Sequence, residues 1–185
     1  RYAEPKGAPR QLSISAVYKN TATGPQGPYV HPGTYTVRLI VDGAVTEHPI
    51  VIKLDPRVTF NESDLQTQTD YSLACYKSYQ ELQAIREAID KKLSDVKTKW
   101  AKGKKEQMLA LRGSGAPDNP DVMYGSISDV ALNQETIVGL QDKFLHLMAI
   151  LQSADAKPTT QLLHAIDKSK VRKDEMVSRW KVFSK

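Results

Sequence analysis

The chain has 185 residues, of which 40% are hydrophobic and 25% are charged, a balance typical of globular proteins that excludes a disordered or collagen-like chain. Its formal charge of +5 makes it mildly basic, and no apolar run approaches the roughly 20 residues needed to cross a bilayer. The single cysteine, Cys75, excludes an intrachain disulfide and a thiolate zinc cluster. The opening residues RYAEPKGAPR have neither an initiating Met nor a hydrophobic signal core, so we expect a piece of a longer chain.

The composition changes near residue 58. Pro, Gly, Thr, Val and Tyr dominate before this point, whereas Leu, Lys, Gln, Ala and Asp with a helical periodicity dominate after it. We therefore predict an α+β chain with two domains, a small antiparallel β segment over residues 1–58 and a helical bundle over residues 59–185.

The clearest β signal is a hairpin. Residues 34–41 and 44–54 alternate in hydrophobicity around Asp42-Gly43, a dipeptide favoured in type I′ turns. The turn sets the register, which pairs Val41 with Ala44, Leu39 with Thr46, Val37 with His48 and Tyr35 with Ile50 on one face. We expect this face to be core, with His48 half-buried in it. The other face carries an exposed Arg38–Glu47 ion pair, and Pro49 predicts a bulge or an edge position in the second strand.

Residues 11–18 alternate as well and predict a third strand. Three strands are too few for a β-sandwich, which needs about seven. The hairpin face is therefore completed by strands that precede Arg1, by another molecule, or by the helical half of this chain.

Three amphipathic helices are expected after residue 58. The first begins at a capping box formed by Thr59 and Glu62, and ends near Gly103 or continues to about residue 110. The second spans residues 128–153, and the third begins at Pro158. Short connections make sequential helices neighbours, so we predict an antiparallel three-helix bundle.

Apolar residues at spacings of three and four define the buried seam of each helix. The first seam contains Leu82, Ile85, Ile89, Leu93, Val96 and Trp100, the second contains Ile137, Leu140, Phe144, Leu147 and Leu151, and the third contains Leu162, Ile166, Met176, Val177, Trp180 and Phe183. Ser169 and Lys173 interrupt the third seam, so its middle is expected to be less buried than its ends.

The sequence contains no motif typical of catalysis. The histidines at positions 31, 48, 146 and 164 are dispersed without metal-ligand spacing, and no glycine-rich phosphate loop is present. His164 and Asp167 are close enough on one helix to touch, but a surface interaction is the favoured interpretation. Cys75 lies among tyrosines and is interpreted as a buried structural thiol. Asp118 and Asp121 lie in a loop where a solvated role is favoured over catalysis. We therefore predict no enzyme activity and no catalytic, metal or cofactor site.

Residues 97–105 (KTKWAKGKK) place five lysines around Trp100, which invites a nucleic-acid interpretation. However, residues 59–185 contain nineteen basic and seventeen acidic residues, so the helical half is only +2. Trp100 is also in phase with the first apolar seam. We therefore expect no nucleic-acid binding.

A combination of motifs resembles a known family. The motifs are GPYVHPGTYTVRLIVDG (residues 27–43), KLDPRV (53–58), the DLQ-like start Ser63-Asp64-Leu65-Gln66 and QSADAKPT (152–159), with Arg1-Tyr2 resembling the end of a preceding strand. Together they resemble the C-terminal region, an Ig-like segment plus a helical tail, of bacterial proteins with BNR-type, sortilin-like β-propellers that are often labelled glycosyl-hydrolase-like.

The resemblance implies an incomplete Ig-like sandwich at the end of an exported multidomain protein, extracellular or periplasmic, whose propeller and any catalytic residues lie elsewhere. We accordingly expect a noncatalytic interaction or structural module that associates with the rest of its parent chain or with another protein, and that forms a homo-oligomer. The alternative is a carbohydrate-binding or accessory unit of a glycoside hydrolase. That role requires exposed coplanar aromatics, whereas Tyr2, Tyr18, Tyr29 and Tyr35 are the only aromatics before residue 58.

Overall fold

The structure is a computed structural model that describes residues 1–8, 27–58, 61–95, 103–113, 135–154 and 156–184. Within these ranges the chain is α+β, with a two-stranded antiparallel sheet followed by four helices. The strands are β1 (Gly33–Val41) and β2 (Ala44–Ile52), and the helices are α1 (Glu62–Ser94), α2 (Lys104–Arg112), α3 (Ile137–Leu151) and α4 (Thr160–Phe183). The described residues therefore form four helices, whereas the sequence predicts three.

The hairpin has the predicted register. Val41 pairs with Ala44, and the ladder continues without interruption to Gly33 opposite Ile52. Asp42 and Gly43 both have positive φ, 49° and 84°, as a type I′ turn requires. Pro49 lies opposite Thr36 in this unbroken register, so the strand has no bulge there. The predicted strand over residues 11–18 lies outside the described residues.

The first helix is shorter than the sequence predicts and starts at a different cap. Its N-cap is Asn61, whose side chain accepts a hydrogen bond from the backbone N–H of Ser63, rather than the predicted Thr59. It ends at Ser94 with Asp95 as C-cap, so the expected continuation to Gly103 or beyond is wrong. The segment that begins at Lys104 forms a separate helix, α2, and Gly103 at its N-cap has a left-handed backbone with φ 77°.

Side-chain contacts give the directions of the three long helices. The Gln68 side-chain amide, near the start of α1, donates to the carbonyl oxygen of Leu151, at the end of α3, so these two helices are antiparallel. Tyr71 near the start of α1 bonds to Asp167 near the start of α4, and Lys92 near the end of α1 bonds to Ser184, so α1 and α4 run parallel.

The buried hydrophobic cluster of the described residues lies between the helices. All five residues of the predicted α3 seam are buried, and Phe144 is completely so. In α4 the expectation is reversed, because Ser169 in the middle is 1% exposed whereas Trp180 and Phe183 are only partly buried. The hydroxyl of Ser169 donates to the carbonyl of Ala165, four residues back, which satisfies this buried polar group within its own helix.

Candidate interaction surface

The β hairpin is the most unusual surface of the molecule. Its two strands pack against each other and against no other described strand or helix. Apolar side chains on both faces are therefore exposed. The residues more than 45% exposed are Val37 (51%), Leu39 (61%), Ile40 (62%), Val41 (54%), Val45 (57%), Ile50 (46%) and Val51 (59%). We name this set the hairpin patch.

Of the three covers that the sequence suggests for the predicted core face, the described helices do not supply one. Val37 and Leu39 share a face with His48 as predicted, but nothing in the described chain covers that face, and His48 is exposed rather than half-buried. The first helix does not fold back over the sheet. The opposite face carries the predicted ion pair, with an Arg38 nitrogen 2.6 Å from a Glu47 carboxylate oxygen. Seven exposed aliphatic residues on one isolated hairpin are typical of an interaction site rather than of an ordinary surface.

The base of the hairpin is attached firmly to the helices. The carbonyl of Pro28 accepts a 2.8 Å hydrogen bond from the N–H of Tyr2, so residues 27–30 run beside the start of the chain. Gly27 and Pro28 are buried there, and a Cβ at Gly27 would overlap the carbonyl oxygen of Ala3. This close approach of two backbone segments requires glycine.

Several contacts join this paired segment to the helices. The N–H of Tyr29 donates to the side-chain oxygen of Gln152 at 2.9 Å, just after α3, and Lys6 forms a 3.0 Å ion pair with Glu87 on α1. Ala8 packs against the helical core, and the rings of Tyr2 and Tyr76 lie 6.3 Å apart. The hairpin is therefore held at its base on a packed helical body.

His31, two residues before β1, contacts the first turn of α1. Its Nε2 lies 3.3 Å from a carboxylate oxygen of Glu62 in the first turn of α1, and its Nδ1 lies 2.9 Å from the carbonyl of Pro32. The hydroxyl of Tyr35 donates to the carbonyl of His31 at 2.6 Å. These contacts link the first strand to the start of α1, and the residues beyond them project away from the helices.

The residues that the sequence suggests for chemistry are not brought together. Asp167 accepts a 3.0 Å hydrogen bond from the hydroxyl of Tyr71, rather than pairing with His164, and this bond raises the pKa of Tyr71. No group of His, Cys, Asp and Glu side chains within the described ranges has the arrangement of a metal site. Asp118, Asp121 and Trp100 lie outside the described residues.

Cys75 is completely buried, in agreement with its interpretation as a structural thiol. Burial raises the pKa of this thiol to about 12, and the charge of Lys170 opposes the shift only in part. A thiol with this pKa is almost entirely protonated at neutral pH, and the protonated form is a poor nucleophile.

The sequence pattern does not predict the polar residues that are buried inside the helical core. Arg86 is 8% exposed and Gln141 is 1% exposed, and they face each other with an Arg86 nitrogen 3.5 Å from the Gln141 side-chain oxygen. The Gln141 amide donates to Gln83 at 2.7 Å, while Arg112 of α2 donates to Asp90 at 2.5 Å. Side chains from α1, α2 and α3 satisfy these polar groups, so we interpret them as structural.

Of the tyrosines in the first 58 residues, Tyr2 (40%) and Tyr29 (54%) are exposed. The guanidinium of Arg1 covers the ring of Tyr29, with its carbon 3.6 Å from the ring centroid, and the Tyr35 hydroxyl is bonded to the backbone. Tyr18 lies outside the described residues. Nothing in the described part favours the carbohydrate-binding alternative.

Comparisons with known proteins give no further guidance. No protein-family model matches the chain, and searches of curated proteins and of solved structures return no match. None of the described helices combines the length and the hydrophobicity of a bilayer span.

Proposed function

We propose that this chain is a noncatalytic interaction and structural module whose β hairpin is the part that binds another polypeptide. The hairpin patch carries the proposal, because seven exposed aliphatic side chains on two nine-residue strands contribute nothing to the helical core. Burial of each such side chain is worth roughly 1.5–3 kcal/mol, so a partner that covers even part of the patch gains substantial free energy.

The wider context of the proposal depends on the resemblance alone. The motifs at residues 27–43, 53–58 and 152–159 support a place at the end of a larger exported propeller protein, extracellular or periplasmic, in which the hairpin belongs to an Ig-like sandwich. Reading the coding sequence that precedes Arg1 tests this context. Propeller repeats there would support it, and an unrelated domain would contradict it.

The isolated chain offers a direct test, because a hairpin patch without a partner should cause self-association. Light scattering across a micromolar and higher concentration series should show a mass that rises with concentration. Leu39→Lys, which places a charge in the hairpin patch, should restore the monomer.

Val171→Lys is the matched control. Val171 is 59% exposed on α4, close to the 61% of Leu39, but it lies outside the hairpin patch. This variant should associate like the parent chain. A strictly monomeric parent chain, or an equal loss of association in both variants, would contradict a role of the hairpin in binding.

A further inference from the structure

The two outer edges of the hairpin differ in their ability to pair with another strand. In a two-residue turn the flanking pair, Val41 and Ala44, is hydrogen-bonded, and pairs alternate between hydrogen-bonded and non-hydrogen-bonded along an antiparallel ladder. The backbone groups of the non-hydrogen-bonded pairs therefore point outward. These outward residues are Thr34, Thr36, Arg38 and Ile40 on β1, and Val45, Glu47, Pro49 and Val51 on β2.

Pro49 makes the outer edge of β2 a poorer partner for another strand than the outer edge of β1. It lies at an outward position of β2, where it costs the hairpin no internal hydrogen bond but removes one donor from the outer edge. Proline at such a position is a known means by which proteins block edge pairing. The outward positions of β1 contain no proline, so its edge has a full set of donors and acceptors.

We propose that β1 pairs antiparallel with β1 of a second copy of this chain across a twofold axis at Val37, giving a continuous four-stranded sheet. This inference rests on the proposed function, in which the hairpin is the binding element. Val37 is the middle residue of β1, so this register pairs the whole strand, with Gly33 opposite Val41 of the partner.

Compared with a shift of one residue in either direction, the register centred on Val37 forms the most hydrogen bonds and places no like charges opposite each other. Thr36 lies opposite Arg38 of the second copy and Thr34 lies opposite Ile40, so four outward pairs form with two hydrogen bonds each. A shift that places Arg38 on the axis sets two guanidinium groups opposite each other, which is unfavourable, and leaves only three outward pairs within the strand. The shift in the other direction also leaves three.

The pairing joins apolar residues on one face of the new sheet. Val37 meets Val37 of the second copy, and Tyr35 meets Leu39, so the exposed face becomes continuous across the axis. Twofold pairing is self-limiting at this edge, because each β1 has one partner and the remaining edges of the described strands are those of β2, which carry Pro49.

Single cysteines test which edge pairs. Across the proposed axis the Cα atoms of two Val37 residues are about 4.5 Å apart, within the range of a disulfide. His48 is the cross-strand partner of Val37 on the same face and is the matched control. Two His48 residues are then about 14 Å apart, three strand spacings, which is too far for a disulfide. The native Cys75 is buried and does not interfere.

Mild oxidation should convert the Val37→Cys variant to a covalent dimer and leave His48→Cys monomeric on a non-reducing gel. Pairing through β2 would place His48 on the axis and reverse this result, and stacking of the hairpins face to face would not favour either variant. The reversed result, equal crosslinking or no crosslinking in either variant overturns the β1 assignment. The Leu39→Lys measurement separately decides whether the hairpin binds at all.

A proline pair provides a second test that needs no oxidation. Arg38 and Glu47 are cross-strand partners with outward backbone groups, one on each edge, and neither belongs to the hairpin patch. Both proline variants lose the same exposed ion pair, so they differ only in the edge that loses a donor. Arg38→Pro removes two of the eight intermolecular hydrogen bonds and should weaken association about tenfold, at roughly 0.5–1.5 kcal/mol per bond. Glu47→Pro removes a donor only from the edge of β2 and should leave association unchanged. Equal weakening by both variants, or a larger effect of Glu47→Pro, contradicts pairing through β1.

Discussion

Truncation of Phe144 should show that folding free energy comes from the helices and not from the hairpin. Phe144 is completely buried in the core between α1, α3 and α4, whereas Leu39 on β1 is 61% exposed. Phe144→Ala removes a buried ring and leaves a cavity, so the free energy of unfolding should fall by about 3–5 kcal/mol. Leu39→Ala removes a side chain that is already mostly in water, and should cost at most about 1 kcal/mol.

Urea unfolding followed by far-UV circular dichroism measures both variants. The protein is kept dilute so that association does not add to the apparent stability. For a chain of this length each kcal/mol shifts the melting temperature by about 2–4 °C, so Phe144→Ala should melt roughly 6–20 °C lower than the parent. An unchanged m-value would show that both variants expose the same surface on unfolding. A Leu39→Ala cost equal to that of Phe144→Ala would refute the assignment of the core to the helices.

Two further predictions concern the base of the hairpin and a partly buried acid. Gly27→Ala should separate residues 1–3 from residues 27–28 and speed hydrogen exchange at the amide of Tyr2, measured by NMR. Gly103→Ala is the control, because a Cβ at Gly103 meets open space, and it should leave exchange at that amide unchanged. Equal exchange rates in the two variants would contradict the close approach of the two segments. Burial raises the pKa of Asp142, so its neutral form is favoured in the folded state and stability is lost as pH rises above the unfolded pKa of about 4. Asp142→Asn should therefore be more stable than the parent in urea at pH 7 and lose this advantage below about pH 4; an advantage that persists in acid would contradict this reasoning.

The hairpin shows what an alternating sequence can and cannot predict. Asp42-Gly43 determines the turn, and the turn determines which residues face each other, so the register is confirmed from Val41 to Gly33. Alternation also predicts that Val37 and Leu39 share a face. It contains no information on which element covers that face, and within the described residues the face is exposed.

In the helices, the apolar pattern likewise fails to identify the buried polar residues. The buried seam of α1 includes Gln68, Ser72 and Arg86 at helical spacing with Tyr79 and Leu82, but a search for apolar residues passes over the polar members. In α3, Gln141 lies four residues after Ile137 and three before Phe144, so its spacing alone marks it as a seam position. Spacing without regard to polarity would have found these residues.

The end of α1 could not be predicted from the seam at all. Apolar residues continue in phase beyond Leu93, so nothing in the periodicity marks the end at Ser94. The same limit applies to α2, whose separate start at Lys104 follows the left-handed backbone of Gly103. A change of chain direction requires only a few backbone angles, and these leave no trace in the spacing of apolar side chains.

The hairpin sequence is apolar although the hairpin lies outside the helical core, and this requires an explanation. A hairpin that only connected other elements would be more soluble with polar residues at Leu39, Ile40 and Val51, and the core would lose nothing by the change, because none of these side chains contacts it. An isolated two-stranded ribbon is also marginal in water. Here it is kept in place by its type I′ turn and by its attachment at residues 27–31. Folding of the described residues therefore does not account for these apolar side chains, and this supports the proposal that a second polypeptide covers the hairpin.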